Sequence, residues 1–148
     1  MLRRICSERS QSLVEFSLVL PVLLLLTLGI VDFSMGFKSY VELTNATREG
    51  ARYAVVGNPA GAYPTDCTGL DRGNVVSRVC KSADLDVASM TNVSVTYPTG
   101  QTSGDSVVVS AEYRYDLITP LSSVMELVTG GSFTGYFDLS SMSDMRLE

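Results

Sequence analysis

The chain has 148 residues and a formal net charge of −5, and it contains neither histidine nor tryptophan. That length is one domain's worth, with room for only a small core once the apolar N-terminal run is set aside. The charge is divided unevenly. Arg3, Arg4 and Arg9 precede the run, whereas from Asp32 onward eight Lys and Arg stand against fourteen Asp and Glu. An acidic region of that kind offers no basic surface for phosphates, which argues against a nucleic-acid partner.

Residues 16–31 carry no charge over sixteen positions, or about 24 Å of helix. Leu13, Val14, Phe33, Met35 and Phe37 extend the run toward the ~30 Å of a bilayer's hydrocarbon core. Glu15 and Asp32 then fall near the two interfaces. A secretory signal would be shorter and followed by a small-x-small cleavage site, which "GIVDFSMGFKSY" lacks. A buried core helix would show a polar stripe, and "VLPVLLLLTLGIV" is apolar on every face. The run reads as a membrane span at residues 11–37, with membrane lipid around it. The three arginines put the N-terminus in the cytoplasm and the acidic region outside.

The helical pattern continues beyond the span. In residues 38–56, Tyr40, Leu43, Thr47, Ala51 and Ala54 recur at spacings of three and four and form one amphipathic face. The other face is charge-paired, Lys38 with Glu42 and Glu49 with Arg52. Pro21 is expected to kink the helix inside the membrane, and Gly57 with Asn58-Pro59 to stop it. Arg48 and Arg52 lie one turn apart, with Gly50 between them to admit a close neighbour. This patch, Arg48, Glu49 and Arg52, is a candidate subunit contact; the alternative is a solvated face with an arginine clamped to the sheet.

Residues 57–148 form the outer region. After a loop rich in glycine and proline, Asp71 is expected to cap a short helix through Ser82, with Val75, Val76 and Val79 facing inward. "NVSVTY" and "SVVVSAEYRYDL" read as two strands of a hairpin around "PTGQTSGD". Thr119 and Pro120 read as the N-cap and first residue of a helix through Val128, ended by Gly130-Gly131. The tail from Ser132 reads as a final strand. Cys67 and Cys80 lie in the exported part, where disulfides persist. A structural disulfide is favoured there over a metal pair or free thiols, since no histidine is available to complete a zinc site. The small antiparallel sheet needs a cover, and the amphipathic half of the long helix supplies it. The fold class is α+β.

"QSLVEFSLVLPVLLLLTLGIVDFS", "LTNATREGARYAV" and the ending "MRLE" resemble the TadE-like family, minor pilins or pseudopilins of the tight-adherence (Tad/Flp) machinery. The resemblance implies a pilin-like fold, a long N-terminal helix on a small antiparallel sheet. It implies that a prepilin peptidase removes a cytoplasmic leader, residues 1–10, at the bond between Ser10 and Gln11. Glu15 and Phe16 would then be the fifth and sixth residues of the mature chain. One position departs from the pattern: the family usually has glycine before the cut, where this chain has Ser10. The resemblance also implies a place in the inner membrane or in a pilus used for adhesion or secretion. Partners would be other minor pilins, the major Flp pilin and the inner-membrane assembly platform.

Glu15 has a physical rationale in that setting. Its place at the mouth of the span limits the cost of a carboxylate in lipid. Cleavage would leave an α-amino group about 6 Å away along the helix axis. In a bundle of staggered parallel helices the carboxylate of one subunit can meet the new N-terminus of the next, which fixes register more than strength. The bland alternative is an interfacial Glu among headgroups. An enzyme is not expected: there is no histidine for acid–base work, no paired carboxylates, and no G-x-S-x-G elbow. Asp84 and Asp86 are too sparse for calcium, and no cofactor motif is present. The remaining alternative is a signal-anchored, single-pass envelope protein whose outer domain binds a ligand or senses the envelope.

Overall fold

The computed structural model describes the backbone of residues 2–57, 67 and 73–147, and the side chains of 11–56, 67 and 73–147. Asp71, expected to cap the second helix, lies outside the described residues, as does the side chain of Ser10. The elements in chain order are α1 (Leu2–Gly57), α2 (Val75–Ser82), a single 3-10 turn (Val87–Ser89), β1 (Met90–Thr96), β2 (Ser106–Asp116), α3 (Leu121–Thr129) and β3 (Tyr136–Arg146). The fold is α+β: a long, apolar N-terminal helix packs on a three-stranded antiparallel sheet of order β1-β2-β3. Two compact units divide the chain, one of residues up to Ser34 with Leu117–Gly135, the other Met35–Asp116 with Tyr136–Glu148.

In the second unit the sheet is a meander whose register follows from alternation. Val95 stands opposite Val109, and Ala111 opposite Ser141. One face of β2 therefore carries Val107, Val109, Ala111, Tyr113 and Tyr115, all buried, while Glu112, Arg114 and Asp116 point to water. The later part of α1 lays Leu43, Ala46, Thr47, Ala51 and Ala54 into the core, each fully buried. Burying each valine of the core contributes on the order of 1.5–3 kcal/mol.

Small residues on the helix are what let it lie close. A Cβ placed on Gly50 would come 2.3 Å from a methyl of Val79 and 3.4 Å from one of Val109. The space that glycine opens is thus used inside the chain, by α2 and β2. Tyr40, expected on the covered face, is instead 44% exposed. It borders an open cleft together with Ser140 and Ser141 of β3.

The second helix starts later than its sequence suggests. Asn74 is its N-cap, its side chain accepting from Ser77 N–H at 2.7 Å, and Val75, Val76 and Val79 are buried as expected. Cys67 and Cys80 are joined by a disulfide with their Cα atoms 5.8 Å apart. Both cysteines belong to the core, and Met90 Sδ packs 3.5 Å from Cys67 Sγ. Asp86, weighed as a calcium ligand, accepts from Ala88 N–H at 3.1 Å and caps the 3-10 turn.

In the first unit, α1 runs helical through Pro21. Leu18, Leu26, Ile30 and Phe33 are each more than 60% exposed. Gln11–Val56 is long and apolar enough to cross a membrane. The same unit holds α3, which ends at Gly130 in the left-handed conformation, where Gly131 N–H reaches the carbonyl of Glu126. This is the glycine stop that the sequence signals.

Candidate assembly surface

Three places on the chain stand out, and two of them hold residues singled out in the sequence. Gln11, Glu15 and Phe16 lie on the early turns of α1 with their side chains exposed, Phe16 at 62%. The Ser10–Gln11 bond falls inside the same helix. Glu15 is the sole charged residue between Arg9 and Asp32. Because every side chain from Gln11 to Leu24 is exposed, this surface has the character of one facing lipid or neighbouring helices. Among the described residues, nothing covers it.

A second group lies further along α1. Lys38 and Glu42 form the expected pair at 3.1 Å. Glu49 does not rely on Arg52. Its Oε1 receives Nη2 of Arg78 at 2.6 Å and Nε at 3.2 Å, tying α1 to α2. Arg48 and Arg52 are exposed and, among the described residues, neither forms an ion pair within 4.0 Å. Arg48 lines a cleft of about 500 Å3 together with Tyr40, Thr44, Glu112, Ser140 and Met142. Ser141, which also lines it, meets the buried Thr47 hydroxyl at 3.2 Å and donates to Thr44 at 3.2 Å. The cleft therefore brings a cation and hydroxyls to one place, between the helix and the β2–β3 pair.

The third place was missed by the sequence reading. Asp32 is buried, at 5% exposure, in the first unit. One carboxylate oxygen accepts the backbone N–H groups of Ile118 at 3.1 Å and Thr119 at 3.2 Å, and the other accepts the Thr119 hydroxyl. That hydroxyl in turn accepts Leu121 N–H at 3.3 Å. Pro120, not Thr119, occupies the N-cap position of α3. Thr119 thus supports the first turn from one residue further out while held by Asp32. A partner 86 residues away leaves no local signature. The only available signal was an aspartate at the end of an apolar run, where a charge needs partners.

Against known families, residues 11–52 match the model described as TadE-like protein. Searches among curated proteins and solved structures found no match. The matched stretch begins at Gln11, contains Glu15, Phe16 and Asp32, and ends at Arg52. The likeness to TadE-like protein is thus confined to the N-terminal helical segment, residues 11–52 of the 148.

Proposed function

We propose that the chain is a minor pilin, or pseudopilin, that takes part in assembly of a Tad/Flp-type pilus for adhesion or secretion. The observation that carries this reading is the TadE-like match on a helix whose outward surface is apolar and whose single early charge is Glu15. The precursor sits in the inner membrane as a single-pass protein, with residues 1–10 in the cytoplasm and residues 57–148 outside. Prepilin peptidase trims it at Ser10–Gln11. Glu15 of one subunit then pairs with the freed N-terminus of its neighbour and sets the stagger between helices. Other minor pilins, the major Flp pilin and the inner-membrane platform are its partners, and it is not an enzyme. Arg48 and Arg52, exposed on the helix, supply cations for a contact just above the membrane.

The test is Glu15→Ala in the native host. The exposed position makes loss of the carboxylate nearly neutral for folding, so insertion and protein level stay the same while pilus formation drops. Normal piliation in that variant would sink the register role. The cleft beside Arg48 favours a second reading, a signal-anchored envelope protein whose outer domain takes a ligand there. Under that reading Glu15→Ala leaves every phenotype intact, whereas Arg48→Ala does not.

A further inference from the structure

The segment between β2 and β3 is unusual for an outer-domain connection. Leu117–Gly135 contains one charged residue, Glu126, among nineteen, and it groups with the apolar part of α1. Its base is closed by Leu117 N–H donating to the carbonyl of Gly135 at 3.1 Å. Its start is fixed to α1 by the bonds from Ile118 and Thr119 to Asp32. Large apolar side chains nevertheless point outward: Leu127 is 84% exposed, Val128 76% and Ile118 69%. A soluble loop would hide such residues or replace them with polar ones.

We infer that this segment is a second membrane contact, a short foot whose helix α3 lies in the outer headgroup layer beside the span. The bonds to Asp32 set its level. Asp32 is the first charge after residues 16–31, and Ile30, Val31 and Phe33 around it are themselves exposed. The apolar surface of the segment is therefore continuous with the end of the lipid-facing stripe. An interfacial helix of this kind sinks its apolar face roughly 5–10 Å into the headgroup–acyl boundary. Lipid is the occupant that this continuity selects. With no lysine or arginine between Leu117 and Gly135, apolar burial alone holds the foot, and anionic lipid adds nothing. Asp32 consequently fixes the foot to the span, satisfying two backbone donors where water is scarce.

The inference rests on α1 crossing a bilayer, and the test separates the two claims. Because the chain has no tryptophan, single substitutions report their own surroundings. Full-length Leu127→Trp, Leu26→Trp and Val56→Trp are reconstituted in phosphatidylcholine vesicles with bromines placed near the top or the end of the acyl chain. All three positions are more than 60% exposed, so none of the replacements disturbs packing. The expected result is a blue-shifted Leu127→Trp emission quenched most by shallow bromines, unchanged when phosphatidylglycerol is added. Leu26→Trp is then quenched most by deep bromines, and Val56→Trp is quenched from the water by acrylamide. Acrylamide quenching of Leu127→Trp equal to that of Val56→Trp overturns the foot while leaving the span intact. Blue-shifted emission that no bromine quenches also overturns it, placing another protein surface, such as a second copy, over α3. Absence of bromine quenching at Leu26→Trp overturns the span and the foot together.

Discussion

The two ends of α1 solve different problems with the same backbone. Up to Ser34 the helix shows leucine, valine and phenylalanine outward, and Leu18, Leu26 and Phe33 are mostly uncovered. From Ser39 to Ala54 it turns Leu43, Ala46, Thr47, Gly50 and Ala51 inward, with nothing larger than leucine on the buried face. In lipid there is no gain from hiding an apolar side chain, so bulk is harmless on the outside. Against a sheet in water, burial is what stabilises, and small residues let two backbones approach. The first half has the surface of a helix long and apolar enough to cross a membrane, and the second that of a helix packed on a sheet.

The same substitution placed in each half tests that contrast most strongly. Leu43→Ala removes a fully buried side chain and is expected to destabilise the second unit by about 2–5 kcal/mol. Leu26→Ala, at 62% exposure, is expected to leave that unit unchanged. Thermal unfolding of the detergent-extracted protein, followed through the sheet signal, measures both. Equal losses in the two variants would erase the distinction. Next in size is Cys67→Ser, which opens the 13-residue bridge to Cys80 and should lower the second unit's stability by roughly 3 kcal/mol. Insertion of the span should not change. A reduced domain as stable as the oxidised one would show that the core, not the bridge, holds the sheet.

The smallest effect is electrostatic and confined to the β1–β2 turn. Asp105 accepts the Thr102 hydroxyl at 2.6 Å and its N–H at 2.9 Å, and these bonds hold its carboxyl below the ordinary value. Because the folded form binds its proton less readily, the turn's contribution is present above the usual carboxylate value. It fades as pH falls through the lowered one. The Thr102 amide resonance should titrate with a midpoint below that of an ordinary aspartate, and Asp105→Asn should abolish the transition. A midpoint at the ordinary value would mean that these bonds do not persist in solution.

Local patterns carried most of the fold. The alternation in "SVVVSAEYRYDL" and the glycines at 130 and 131 are signals read within a few residues, and β2 and the end of α3 fall where those signals point. Non-local pairings were not legible. Glu49 has Arg52 one turn away as a ready partner, but α2 brings Arg78 closer. Gly50 reads as an opening for a neighbour, and only the packing of α2 shows that Val79 fills it. Asp32 is the sharpest case: its charge reads as interfacial, while its use as an anchor for Ile118 and Thr119 depends on a segment met much later in the chain. Within the candidate assembly surface, Glu15 was legible because its oddity is local. A carboxylate ahead of sixteen uncharged residues needs no partner in the chain to be noticed.

The most direct test of the pilin reading is the intact mass of the membrane-extracted protein from its host, with and without the prepilin peptidase. Loss of residues 1–10 only when the peptidase is present is the predicted result, with Gln11 as the new N-terminus and Glu15 one turn beyond it. A full-length chain from both strains would contradict processing, and Glu15 would be left as an interfacial charge on a signal-anchored protein.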